Sequence, residues 1–362
     1  MIVILILACL FVAFANGAND VSRGIATLVG SGVSNYRAAV AWGTGWTVAG
    51  ALMAALMTQA LVATFSGKGL LANPNTTHEM LLAVSCGAIG WLLIATRTGM
   101  PVSTTHSLAG ALIGAALMQS GAAGILWPAV AKKVAVPLLL SPFLSLLVLM
   151  IVLPLIRWAA ARADRYCLCV ETAEPALATA EGVALRDSGP ALPRVDVAPE
   201  SQCGESVARI TLIDSLHWLS AGATSFFRGM NDTPKILALG IAAGAAAGIS
   251  QNMFYVMLAT AMGLGSYIAG RRVTETMAQK IVKLSPHNGF AANLVTSLFV
   301  GLASRFALPV STTHVASGAI IGIGISDKVG VRWKMVGEMA LAWIVTLPAS
   351  AVIAAIVYKL IG

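Results

Sequence analysis

Phe14-Ala15-Asn16-Gly17-Ala18-Asn19-Asp20 and, in the second half of the chain, Phe226-Phe227-Arg228-Gly229-Met230-Asn231-Asp232 decide the reading of this sequence. Each is followed by the same hexapeptide, Pro-Val-Ser-Thr-Thr-His, at 101–106 and again at 309–314. The offsets are 231 − 19 = 212 and 311 − 103 = 208. Trp127 with Pro142 and Trp333 with Pro348 repeat at 333 − 127 = 206 and 348 − 142 = 206. Repetition in a nearly constant register indicates duplication. The duplicated residues are polar ones set in apolar surroundings, the pattern of a solute site built from two halves, as in many secondary transporters.

The chain has 362 residues, 57% hydrophobic and 10% charged, with a mean hydropathy of +0.83. Soluble domains carry about 25% charged residues, so this composition suits lipid. Runs such as 38–64, 137–156, 236–261 and 335–361 are long enough to cross a bilayer, which takes about 20 apolar residues; about ten such segments are expected. Inside the repeats strand-like alternation is absent, so the spanning structure is expected to be helical and not a barrel. The apolar run from Met1 to Phe14 lacks a basic leader and runs directly into the first motif. It reads as the first half of a broken transmembrane helix that is retained. Both motifs, at 17–20 and 229–232, are expected to interrupt helices, with Pro101 and Pro309 restarting them.

Three parts follow: a first transmembrane repeat over 1–157, a linker over 158–209, and a second transmembrane repeat over 210–362. The linker is acidic, with Glu171, Glu174, Glu181, Asp187 and Asp196, and carries Pro175, Pro190, Pro193 and Pro199. It is expected to be largely irregular. Arg157, Arg162 and Arg165 directly follow an apolar run, which places the linker in the cytoplasm. The net charge of +8 comes from residues scattered between membrane segments and forms no single face, against nucleic-acid binding. The five cysteines, Cys9, Cys86, Cys167, Cys169 and Cys203, suggest neither a disulfide framework nor a metal site.

Pro-Val-Ser-Thr-Thr-His has the form of a helix start, a proline followed by hydroxyl residues. Free backbone N–H groups, the positive helix pole and hydroxyl donors suit an oxyanion. One copy alone reads as helix capping; two identical copies deep in apolar sequence point to an anion site. Asn19, Asp20, Asn231 and Asp232 supply the opposite chemistry, since intramembrane carboxylates bind a cation or a proton, here sodium or H⁺. Arg23 and Lys235 stand three residues after the aspartates, so salt bridging is an alternative reading, as is snorkelling to the interface. His106 and His314 read as structural. Arg97, Arg228 and Arg305 read equally as anion attractors or interfacial anchors.

With these residues, together with Gly270-Arg271-Arg272-Val273 and Pro286 to Phe290, the sequence resembles the inorganic phosphate transporter (PiT) family, which also includes sulfate permeases. The resemblance covers both repeats. It implies an all-α polytopic fold of two inverted-topology repeats with broken and re-entrant helices, and a homodimer. It also implies phosphate held by Ser103, Thr104, Thr105, Ser311, Thr312 and Thr313, with cations at Asn19, Asp20, Asn231 and Asp232. Both positions after the aspartates where the family commonly has Asn are basic here, Arg23 and Lys235, which makes them charge modulators. Asn293 stands where a glutamate is often found. The expectation is a multi-pass, prokaryotic inner-membrane carrier of inorganic phosphate, with sodium or protons as coupling ion and no cofactor. Sulfate transport is the alternative within the family; a membrane-embedded enzyme and a passive channel are the alternatives outside it. No Gly-x-Ser-x-Gly or His-x-x-x-His motif favours an enzyme.

Overall fold

In the computed structural model the described residues are 1–57, 59–73, 76–163, 166–173, 176–178, 184–186, 192–199, 208–306, 308, 310–328 and 330–362. The first half comprises α1 (Ile2–Asp20), α2 (Ser22–Gly30), α3 (Tyr36–Met57), α4 (Gln59–Phe65), α5 (His78–Thr98), α6 (Thr104–Ser120), α7 (Trp127–Val130) and α8 (Val136–Ala163). The second comprises α9 (Leu212–Ala246), α10 (Gln251–Ala269), α11 (Arg271–Gln279), α12 (Pro286–Arg305), α13 (Thr312–Asp327) and α14 (Trp333–Ile361). Six helical stretches among the described residues are long and apolar enough to cross a membrane: 2–30, 36–57, 78–98, 127–159, 251–269 and 333–361. That is fewer than the sequence suggests, because α9 carries polar and charged residues and α6 and α13 have 17 and 16 residues.

The apolar residues of the outer helices face away from the protein. Phe143, Ile151 and Leu155 of α8, and Ile344, Ile356 and Leu360 of α14, are all more than half exposed. The buried set contains two aspartates, two arginines and a lysine. A molecule with its leucines outside and its charges inside is built for a hydrocarbon solvent.

The halves pack by exchange. Helix α1 lies along α10 of the other half, and α9 lies along α3; likewise α6 packs on α14, and α13 on α8. The closest approaches repeat across the exchange. A Cβ on Gly50 of α3 would stand 1.9 Å from the carbonyl oxygen of Phe226, and one on Gly265 of α10 would stand 1.9 Å from that of Phe14. These backbones touch because glycine lets them, the usual way helices associate in lipid.

Two expectations are corrected. The motif at 229–232 does not interrupt a helix: α9 runs unbroken from Leu212 to Ala246, through Pro234. Thr233 donates to the Gly229 carbonyl at 2.7 Å within that stretch, and burial on all sides holds the helix together. In the first half the break falls one residue after the motif, at Val21. There Arg23 and Ser22 side chains donate to the Asn19 carbonyl, replacing its helical partner.

In the linker, helix α8 extends to Ala163, and short strands follow where irregular chain is expected. They are β1 (Tyr166–Ala173), β2 (Ala176–Ala178), β3 (Ala184–Arg186), β4 (Leu192–Pro199) and β5 (Ala208–Thr211). β1 is the centre of an antiparallel sheet in the order β4-β1-β5, with Val170 opposite Val195. The alternation Arg194-Val195-Asp196-Val197 is a strand pattern that the acidic, proline-containing composition hides.

Candidate functional site

The two hexapeptides meet. Ser103 and Ser311 are the N-caps of α6 and α13, accepting from the His106 and His314 amides at 3.2 Å each. Their neighbours then cross to the other half. Thr105 donates to the Val310 carbonyl at 3.3 Å, and Thr313 donates to the Val102 carbonyl at 2.8 Å. The His106 and His314 rings lie 4.6 Å apart, and His314 Nδ1 is 2.9 Å from the Leu138 carbonyl. This reciprocity brings two positive helix poles to one place.

The basic residues after the aspartates reach the opposite hexapeptide. Arg23 sits 3.1 Å from Asp20 and donates to Thr313 Oγ1 through Nε at 3.1 Å. Its Nη2 donates to the Val102 carbonyl at 2.6 Å and to Asn19 Oδ1 at 3.0 Å, and its Nη1 donates to Ser22 Oγ at 3.0 Å. Lys235 Nζ donates to Asp232 Oδ1 at 2.9 Å, to Thr105 Oγ1 at 2.7 Å and to the Val310 carbonyl at 3.4 Å. Since 235 − 23 and 313 − 105 are the repeat offsets, these are one arrangement built twice. Arg23 is 1% exposed and Lys235 0%, so neither snorkels and the salt-bridge reading holds.

Asn16 lies between the two aspartates. Its Nδ2 is 2.9 Å from Asp20 Oδ2, 3.1 Å from Asp232 Oδ2 and 2.9 Å from Thr104 Oγ1. Thr104 itself donates to Asp20 Oδ2 at 3.1 Å. Arg228 donates to Asn16 Oδ1 at 3.3 Å and to Thr47 Oγ1 at 2.6 Å and is wholly buried, which excludes interfacial anchoring; Arg97 and Arg305 are exposed. Thr312, 4% exposed, takes part in none of these bonds. Asn19 donates to Thr96 Oγ1 and the Met100 carbonyl at 3.1 Å and accepts from the Val102 amide at 3.2 Å. Its counterpart Asn231 is 0% exposed and neither side-chain atom has a hydrogen-bond partner among the described residues. Asn293 lies elsewhere, donating to Thr27 and the Gly24 carbonyl at 2.7 and 3.0 Å.

All ten residues singled out in the two motifs are buried, and hydrogen bonds or helix capping link eight of them, all but Thr312 and Asn231, to Arg23, Lys235 or the starts of α6 and α13. Sequence reasoning missed Asn16 as a bridge and Arg228 as a member. The signal was present, because 228 − 16 = 212 is the motif offset.

A helical membrane protein whose two halves exchange helices around a buried polar cluster has the architecture common among secondary carriers. The chain belongs to the phosphate transporter family, whose sequence pattern it matches over residues 16–354. A probable low-affinity inorganic phosphate transporter of Rhizobium meliloti (strain 1021) is 28% identical over 99% of this chain and 96% of its own length. Inorganic phosphate transporter 2-1, chloroplastic, of Arabidopsis thaliana is 30% identical over 96% of this chain and 70% of its own length. A solved structure described as the sodium-dependent phosphate transporter matches 100% of this chain and 99% of its own, with a TM-score of 0.78 at 23% identity. That likeness establishes the fold. The family is one of transporters, not enzymes.

Proposed function

We propose that this protein moves inorganic phosphate across a cell membrane by alternating access, with the anion held between the starts of α6 and α13. Ser103, Thr104, Thr105, Ser311, Thr312 and Thr313 supply hydroxyls, and the two helix poles supply amide dipoles. The observation that carries this reading is the reciprocal crossing of the hexapeptides, Thr105 to Val310 and Thr313 to Val102. A site made of equivalent pieces from two halves can open to one side as it closes to the other, by rocking one half on the other. Related by a two-fold axis in the membrane plane, the halves form inverted repeats, and both termini then lie opposite a cytoplasmic linker. A homodimer in a prokaryotic inner membrane and coupling to a cation gradient, sodium or protons, complete the proposal.

Radiolabelled phosphate uptake by the purified protein in proteoliposomes tests it. Accumulation against a gradient is expected, with a hundredfold excess of sulfate reducing it less than twofold. Equal competition by sulfate would assign the protein to the sulfate-carrying branch, and uptake that never exceeds equilibrium would make it a channel.

A further inference from the structure

Intramembrane carboxylates beside buried amide and carbonyl oxygens normally hold a cation or a proton. Here both carboxylates already have cations, and the cations are covalently part of the chain. In the first half, the Arg23 guanidinium donates to the Asn19 carbonyl and to Asn19 Oδ1, and lies 3.1 Å from Asp20. In the second half, Lys235 Nζ lies 2.9 Å from Asp232. Both heads also donate to a hexapeptide threonine of the opposite half, Thr313 and Thr105. Each base thus links its carboxylate to the anion-holding helix start, the position a bound cation would need in order to couple to the anion.

We propose that Arg23 and Lys235 are built-in counter-cations: they take the place of mobile cations, so the anion binds and moves without sodium. The inference rests on the phosphate reading above. Charge balance supports it independently of the contacts. The ionisable groups buried at the site are Asp20, Asp232, Arg23, Arg228 and Lys235, with His106 and His314 counted as neutral. Two carboxylates against three cations leave one positive charge, which a singly charged oxyanion neutralises. Two sodium ions added to the same loaded cluster would leave two uncompensated positive charges in a poorly solvated site, an arrangement proteins avoid. With Asn in place of both bases, the cluster would fall to one net negative charge, and an anion would then need mobile cations to accompany it.

The test is phosphate uptake and equilibrium phosphate binding with sodium or choline as the sole monovalent cation. It compares the wild-type protein with the Arg23→Asn, Lys235→Asn double variant, with folding monitored by melting and size-exclusion profile. The expected result is that wild-type uptake and affinity change less than twofold between the two cations. The folded double variant should lose at least tenfold in choline and recover part of that loss in sodium. The charge-keeping exchange Arg23→Lys, Lys235→Arg should stay sodium-independent. It serves as the variant arm if the double Asn protein does not fold. A wild-type requirement for sodium of tenfold or more overturns the inference while leaving phosphate transport standing. So does a folded double Asn variant as active in choline as the wild type, or a charge exchange that acquires a sodium requirement. Absence of phosphate uptake and binding in every medium overturns the phosphate reading and this inference with it.

Discussion

The two halves use one plan with unequal parts. Position 23 is arginine and its counterpart 235 lysine; position 16 is asparagine and its counterpart 228 arginine. The long forked guanidinium of Arg23 reaches Asn19, Ser22, Val102 and Thr313 at once. The ammonium of Lys235 reaches Asp232, Thr105 and Val310 and leaves the Asn231 side chain without a hydrogen-bond partner among the described residues. Asn19 is thus fully engaged in the first half, while its counterpart Asn231 keeps free hydrogen-bonding capacity in the second. A fork of five donors and a point charge are different tools, even at equivalent positions. Duplication supplied the symmetry of the cluster, and substitution at two pairs of positions made its two halves unequal in hydrogen bonding.

The largest effect expected from breaking this comparison comes from the bases themselves. Arg23→Met leaves Asp20 without its ion-pair partner and several buried acceptors without donors, so the loss should be about 3–5 kcal/mol. Lys235→Met leaves fewer orphans, because Lys235 donates only to Asp232, Thr105 and Val310 while Arg23 also serves Asn19 and Ser22 besides Thr313 and Val102, and should be milder by about 1–3 kcal/mol. Unfolding of the two variants in the same detergent, by denaturant or heat, measures the gap. Equal losses would mean that the two halves are energetically interchangeable.

Thr104 and Thr312 sharpen the comparison at the anion. Thr104 is engaged with Asn16 and Asp20, whereas the Thr312 hydroxyl has no such commitment. Thr312→Val should therefore leave stability within about 0.5 kcal/mol and cost the bound anion one charge-assisted bond, about 1.5–3 kcal/mol or roughly tenfold to a hundredfold in affinity. Thr104→Val should lower both stability and affinity. Adding the second substitution to the first should bring the affinity loss to a hundredfold or more. A Thr312→Val protein that binds phosphate normally would remove that residue from the site.

Much of this was legible because it is local or repeated. Helical membrane architecture follows from apolar runs, and the Asp–base pairs from a spacing of three residues along a helix. The convergence of Asn19, Asp20, Asn231 and Asp232 with the hexapeptides follows from duplication. What stayed hidden depends on reach across the molecule. No spacing rule places Arg23 on Thr313, 290 residues away, or Asn16 between both aspartates. Continuity of α9 through Pro234 was also hidden, since proline and glycine usually signal a break. Dense burial overrides that local preference. In the linker, prolines and acidic residues masked the alternation that β1 and β4 use.

Asn19 and Asn231 carry the comparison to a smaller scale. Asn19→Ala removes bonds to Thr96, Met100, Val102 and Arg23 and should cost about 2–3 kcal/mol. Asn231→Ala removes no side-chain hydrogen bond among the described residues and should cost under about 1 kcal/mol. If Asn231 serves the ligand, its alanine variant should still lose phosphate affinity, at least threefold, with the melting temperature nearly unchanged. Equal destabilisation by both substitutions would show that Asn231 is held as firmly as Asn19.

The smallest effect belongs to a carboxylate–guanidinium pair outside the duplicated cluster. Arg157 of α8 pairs with Asp327 at the end of α13, and Asn288 bridges them at 2.8 Å to the arginine and 2.7 Å to the aspartate. The position matching Asp327 in the first half is Gln119, as 327 − 208 = 119, so this contact has no counterpart there. The Arg157 side chain is 39% exposed, so water already solvates much of its charge, and breaking such a pair costs about 0–1 kcal/mol. Asp327→Asn should therefore shift stability by no more than that and leave phosphate affinity unchanged within twofold, because the hydroxyls and bases of the central cluster do not touch it. A loss from Asp327→Asn as large as that from Arg23→Met would place this one-sided contact, rather than the symmetric cluster, at the energetic centre of the fold.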